Sequence, residues 1–128
     1  MIIVDFLKKF EVHSSLILIF LLLIRQYATP EEKMTTIGVN FEVFGKVQGV
    51  FFRKFTASKA KELGLNGWCM NTNDGTVRGY IEGNMSKIDE MKNWLQYIGS
   101  PKSSILKAEF KNEKGLNNLT YHNFTIKK

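Results

Sequence analysis

The sequence predicts an α+β fold, a ferredoxin-like (split β-α-β) sandwich in which an antiparallel sheet carries two helices on one face. Three observations carry that prediction. Apolar and polar residues alternate over residues 39–44 and again over 76–82, the period of half-buried strands. Asp74-Gly75 sits between two β-prone runs, a strong hairpin signal. Two further segments repeat their apolar residues at helical spacing.

The elements follow in order. Val39, Phe41 and Val43 alternate with Asn40, Glu42 and Phe44 in a first strand that should stop at Gly45. Lys46-Val47-Gln48-Gly49 is a glycine-bounded loop. A helix follows with Phe52, Phe55, Ala60 and Leu63 on its apolar side and Lys54, Lys59 and Lys61 left for solvent; Gly64 suits its C′ position. Residues 67–72 form a second strand, Asn73-Asp74-Gly75 the turn, and residues 76–82 a third strand that Gly83 should break. Asn84 or Ser86 caps the second helix, with Ser86 and Asp89 at capping-box spacing. Its apolar face is Met85, Ile88, Met91, Trp94, Leu95 and Ile98, and Gly99-Ser100-Pro101 ends it. Residues 105–110 and 121–126 read as strands, giving the order β-α-β-β-α-β with one extra terminal strand.

Composition narrows the classes. The 128 residues amount to one domain, and 44% apolar residues can build a core, which excludes a disordered or collagen-like chain. One cysteine excludes an internal disulfide, and with only two histidines it excludes a Cys/His zinc site. Cys69 reads as a packed small hydrophobe. The net charge of +6 lies wholly in residues 34–128, because residues 1–33 balance Lys8, Lys9, Arg25 and Lys33 against Asp5, Glu11, Glu31 and Glu32. Such a field attracts anions of any kind.

Residues 1–33 read as an extension ahead of a domain over residues 34–128. Leu16 to Ile24 is an unbroken apolar run of nine residues. As a helix it would span about 14 Å at roughly 1.5 Å per residue, against about 30 Å of hydrocarbon, so it is not a conventional membrane span. Lys8 and Lys9 could lead a signal peptide, but Arg25-Gln26-Tyr27-Ala28 makes a poor cleavage site, and Asp5 and Glu11 argue against a transit peptide. An upstream extension ending near Met34, a signal and an interfacial anchor stay open. Residues 29–33 suit a linker. The sequons at Asn84, Asn118 and Asn123 matter only for an exported chain.

Gly45-Lys46-Val47-Gln48-Gly49-Val50-Phe51-Phe52-Arg53 is the segment with chemical content. A loop entering a helix presents free N–H groups and the positive end of the helix dipole, which together bind a tetrahedral oxyanion. Arg53, in the first turn, could close on the same anion in bidentate fashion. On these residues alone, an ordinary glycine turn with a solvated Arg53 remains the alternative.

Two motifs taken jointly resemble the acylphosphatase family. Gly45 to Arg53 meets glycine-x-Val-Gln-Gly-Val-x-Phe-Arg. Gly67, Trp68, Asn71, Gly75, Val77 and Gly83 meet the second pattern at every fixed position and in the right order. The likeness covers about residues 38–128. It implies hydrolysis of the carboxyl-phosphate bond of an acyl phosphate, without metal or cofactor. Carried over, Arg53 binds the phosphoryl group together with the backbone of Lys46, Val47, Gln48, Gly49, Val50 and Phe51, and Asn71 orients the attacking water. A carboxylate leaving group, with a pKa of about 4, needs no general acid. The expected substrate is a small-molecule acyl phosphate, the expected state a monomer, and the expected location cytoplasmic. A secretory or membrane-associated location, with membrane contact through residues 16–24, is the alternative.

The other residues have plainer roles. Trp68, Trp94, Phe52 and Phe55 should be core, Asp74 a turn residue, His122 surface, and the lysines a solvated face. Two rival functions remain. One is RNA binding on the sheet, although Phe41 and Phe44 fall on opposite faces of their strand, and no nucleic acid partner is expected. The other is a catalytically silent anion binder.

Overall fold

The computed structural model describes residues 15–22 and 35–128. The chain divides into two compact units, Met1–Lys33 and Met34–Lys128. In the first unit, residues 15–22 are helical (α1), and every one of them is exposed. Among the described residues no helix is long and apolar enough to cross a membrane. The lysines at 8 and 9, the end of the apolar run, the linker at 29–33 and Met34 lie outside the described residues.

The second unit contains β1 (Thr36–Lys46), α2 (Phe52–Glu62), β2 (Asn66–Asn71), β3 (Val77–Asn84), α3 (Met85–Tyr97), β4 (Ser104–Gly115) and β5 (Phe124–Ile126). The strand order is β4-β1-β3-β2-β5. The first four strands pair antiparallel, as the pattern predicts. The fifth corrects the all-antiparallel expectation, because β5 pairs parallel with β2 and makes the sheet mixed. β4 runs against β1 and hence against β2, so a chain that turns back after β4 must run with β2.

The core forms where both helices meet one sheet face. Ile37, Val39, Phe41 and Val43 of β1, Cys69 of β2, and Val77 and Ile81 of β3 join Phe52, Ala57 and Ala60 of α2 and Ile88, Met91, Trp94 and Leu95 of α3. Each fully buried large apolar side chain contributes about 1.5–3 kcal/mol. Phe52 and Trp94 link the helices, with ring centroids 5.6 Å apart. Trp68 is only half-buried, with Lys127 Nζ 4.0 Å from its ring centroid.

Several element edges and faces differ from expectation for local reasons. Phe55 is 41% exposed rather than core. At about 100° per residue, the buried set of Phe52, Thr56, Ala57 and Ala60 centres between Thr56 and Ala60, which leaves Phe55 on the flank. Met85 and Ile98 are exposed because they stand at the first position of α3 and just past its end. Asn84 alone is the cap: its Oδ1 accepts from both Ser86 N and Ser86 Oγ, so the Ser86 hydroxyl is already engaged. Gly83 does not break β3, which pairs with β1 as far as Asn84. Gly45 lies inside β1, where the ladder to β4 shifts register and a Cβ would collide with the Ser104 carbonyl.

The other sheet face is partly covered by the chain between β4 and β5. Glu82 alternates outward from the core, yet it is fully buried. Its Oε1 accepts from Thr120 N at 2.6 Å and from Tyr121 N, and its Oε2 accepts from Tyr80 Oη at 2.9 Å. Tyr121 also lies on Tyr80, at 5.6 Å between centroids, and its carbonyl accepts from Asn66 Nδ2 at 2.8 Å. These contacts fasten the returning chain so that Phe124 comes opposite Gly67. Glu82→Ala leaves three donors without their acceptor and is expected to cost about 3 kcal/mol in urea unfolding. Glu82→Gln, whose amide oxygen can still accept both backbone N–H groups, should cost roughly 1 kcal/mol.

Candidate active site

The sheet register brings two distant segments to one edge. Val43 of β1 and Asn71 of β2 both stand opposite Val77 of β3, in one row across three strands. The chain leaving β1 therefore emerges beside the turn that joins β2 to β3. Gln48 fastens the two, its Nε2 donating to Thr72 O and to Thr76 O, each at 2.9 Å. Behind it, Thr76 Oγ1 donates to Glu42 Oε2 at 2.7 Å. Thr72 must then be the donor in the 2.6 Å bond between the two threonine hydroxyls. Thr72 Oγ1 also accepts from Asp74 N and Thr76 N, so Asp74 is a turn residue as expected.

The loop between β1 and α2 is held from below and curled from within. Val47 and Val50 are buried in the core. Gly49 (φ 75°) and Phe51 (φ 60°) adopt left-handed conformations. Successive N–H groups in such a curl form a concave nest for an anion. Phe51 is the N-cap of α2 with no side-chain cap bond, and the first turn holds no acidic residue. The positive end of the helix is thus left to whatever enters from outside.

Arg53, second residue of α2, and Asn71, last residue of β2, line one cavity of about 490 Å³. Val47, Gly49 and Phe51 complete its loop side, and Ile126 and Lys128 its far side. Asn71 Oδ1 is buried and has no hydrogen-bond partner among the described residues. Arg53 is half-buried, and its charge is felt at Cys69, two residues before Asn71. Burial nevertheless pushes the Cys69 thiol up to about 12, with Arg53 only partly opposing it. Among the described residues no three His, Cys, Asp or Glu side chains converge. The cavity therefore combines anion donors, namely backbone amides and a guanidinium, with one neutral acceptor.

Of the residues singled out from sequence, Arg53, Asn71, Val47, Gly49 and Phe51 line this cavity together. Lys46 is exposed, Val50 turns into the core and Gln48 directs its side chain to the β2–β3 turn; none of these three lines it. The clasp by Gln48 and the wall supplied by Ile126 and Lys128 are not evident from sequence. A polar side chain between two glycines signals a loop but not a target, and residues 121–126 signal only a strand.

A family model described as acylphosphatase matches residues 39–126. Acylphosphatase-1 of Homo sapiens is 54% identical over 97 residues, which cover 76% of this chain and 98% of that protein. Acylphosphatase-1 of Drosophila melanogaster is 56% identical over 87 residues, covering 68% of this chain and 72% of that protein. Among solved structures, the acylphosphatase from Bacillus subtilis is similar at a TM-score of 0.66 and 30% identity, covering 72% of this chain and 99% of that one.

Two outcomes follow from this geometry. Gln48→Met removes both clasp bonds and should cost about 2 kcal/mol of stability while weakening inorganic phosphate binding about tenfold in calorimetric titration. Cys69 should resist thiol reagents at pH 8 until the protein unfolds. Its thiol is raised from 9.0 to about 12 on folding, so above about pH 9 the unfolded chain sheds a proton that the folded chain keeps. Stability should therefore fall as pH rises from 9 toward 12, and Cys69→Ala should flatten that slope in pH-dependent melting.

Proposed function

This chain belongs to the acylphosphatase family and hydrolyses the carboxyl-phosphate bond of acyl phosphates; from that premise we propose that Arg53 and the backbone amides of residues 46–51 hold the phosphoryl group while Asn71 orients the attacking water. The observation that carries the assignment is the buried, unpartnered Asn71 Oδ1, which lines the same cavity as Arg53 and the uncapped start of α2.

The reaction makes modest demands on the protein. Water attacks phosphorus, the P–O bond to the acyl group breaks, and the carboxylate departs with the electron pair. A group with a pKa of about 4 leaves as a stable anion and needs no proton from the enzyme. What remains is to place the water in line and to stabilise the charge on the phosphoryl oxygens. Arg53 can take two of those oxygens as a fork, and the loop amides can donate to the others. Those donors are fixed before substrate arrives, so little reorganisation opposes the transition state.

Asn71 suits the water for electrostatic reasons. Its amide oxygen accepts a water O–H and aims the water's lone pair at phosphorus. A carboxylate there would bind water more tightly but would repel the phosphoryl oxygens a few ångströms away. The water's proton passes to a phosphoryl oxygen as the new bond forms. In this reading the substrate is a small molecule, the enzyme is a monomer in the cytoplasm using no metal or cofactor, and residues 16–24 take no part in the chemistry.

The test is acyl phosphate hydrolysis by the full chain in the presence of EDTA, beside two variants. Arg53→Ala should lower kcat/KM by about a thousandfold, the scale of losing a charged phosphoryl donor. Asn71→Ala should lower kcat by about a hundredfold or more, with the inhibition constant of inorganic phosphate changed by less than about threefold. Weakened phosphate binding with kcat intact in Asn71→Ala would refute the water-orienting role, and EDTA sensitivity would refute a metal-free reaction.

A further inference from the structure

α1 carries apolar surface on every side. Residues 16–22, all Leu, Ile or Phe, are each between 53% and 63% exposed. At about 100° per residue, seven successive positions pass nearly twice round a helix axis, so the apolar surface closes on itself and leaves no polar face. In sequence Leu23 and Ile24 prolong the run to nine. α3 shows the ordinary arrangement, burying Ile88, Met91 and Leu95 while Lys87, Asp89 and Glu90 face water. Apolar surface as continuous as that of α1 marks a place where something else covers it.

The all-round form of this surface selects what covers it. A groove in a partner protein takes the apolar face of an amphipathic helix and would leave the far side of α1 in water. Pairing with a second copy buries a seam of two positions in seven, and the other five have no polar residue here to face solvent. The interior of a bilayer surrounds a helix completely, and a helix enters it with its backbone groups already bonded to one another. Nine residues as a helix reach about 14 Å, less than half of the roughly 30 Å hydrocarbon layer, so the run fits within one leaflet and both ends must meet the headgroups. The sequence supplies suitable ends. Ser14 and Ser15 precede the run, residues that satisfy the open N–H groups of a helix start. Arg25 follows it, able to carry its charge to headgroup phosphates while its stem stays among the lipid chains.

We propose that residues 16–24 embed in one leaflet of a lipid bilayer, below the headgroups, and tether the enzyme to a membrane surface while its chemistry stays in the cytoplasm. The attraction is hydrophobic rather than ionic, because residues 1–33 carry no net charge. That separates it from adsorption of the basic unit, whose field needs anionic lipid and fades with salt. So short a run gives reversible binding on the scale of a single myristoyl chain, with an association constant of about 10⁴ M⁻¹. The inference stands apart from the reading of the phosphoryl site.

The experiment is flotation of the full chain, its length checked by mass, with vesicles of phosphatidylcholine alone. It is run at about 0.15 M and about 1 M NaCl, between which the screening length falls from about 8 Å to about 3 Å. With about 1 mM accessible lipid, about nine-tenths of the chain should float at either salt concentration. Ile17→Asp and Ile19→Asp stand about 200° apart on the helix, and a short carboxylate cannot stretch back to water as a lysine would. Each should weaken partitioning about a hundredfold, while melting and acyl phosphate hydrolysis in free solution stay unchanged. Failure of the folded full chain to float, or flotation that disappears at the higher salt, would overturn the proposal. So would loss in only one of the two variants, which would mean a one-sided contact. Oligomers in buffer without flotation would give the surface to a second copy, and recovery of a chain lacking residues 1–28 would make the run a cleaved signal; either result overturns the tether.

Discussion

β3 lies between β1 and β2, hydrogen-bonded to both in antiparallel register, and the cavity exists because of that placement. With β3 between them, β1 and β2 run in the same direction and finish at the same end of the sheet. The loop that follows β1 and the last residue of β2 then face one another across a single intervening strand, about 10 Å apart at ordinary strand spacing. A helix starting at that end directs its N–H groups into the gap. Gln48 needs only to span the remaining distance to Thr72 O and Thr76 O for loop and turn to act as one body. Residues more than twenty positions apart in sequence are thereby held as closely as neighbours.

The groups gathered there are individually uncomfortable in the free protein. A cation in the first turn of a helix, as at Arg53, is unfavourable by about 0.3–1 kcal/mol. The Phe51 backbone is strained and α2 begins without a cap. A bound phosphoryl group reverses the sign of the first, supplies the missing cap and leaves the second unchanged. The rest of the unit tolerates such a loop because Val47 and Val50 anchor it in a core that the two helices and three central strands already close. Stability and function are thus carried by different atoms of the same nine residues.

How much of this is legible in sequence depends on how local each cause is. The alternation at Val39, Phe41 and Val43 and the turn at Asp74-Gly75 are local, and the structure forms both. The β2–β3 hairpin follows from that turn. Glu82 shows the opposite case: alternation assigns it correctly to the outer face, but its burial comes from residues 120–121, nearly forty positions later. The parallel pairing of β5 has the same distant origin. At the site, Arg53 and Asn71 stand out because their motifs are spaced in a recognisable way, and they do reach one cavity. The Gln48 clasp and the Ile126 wall are set by tertiary geometry, which no window of neighbouring residues encodes.

The two margins of the sheet bear on how the molecule behaves in a crowded solution. β5, at one margin, is three residues long and gives an incoming strand almost nothing to pair with. β4, at the other, is twelve residues long but poorly suited as a template. Its ladder to β1 slips register at Gly38/Asn40 and again at Phe44/Gly45, and Asn112 takes a left-handed conformation at the first of these slips. Lys107, Glu109, Lys111, Glu113 and Lys114 line the same strand with charge, Glu109 pairing with Lys107 and Lys111, and Glu113 with Lys92. A strand from another copy would meet a kinked line of donors and acceptors and would have to bury or disturb these charged side chains. Such features are how sheet proteins deter edge-to-edge growth, so this mixed sheet, open at both sides, carries its own protection against ordered aggregation.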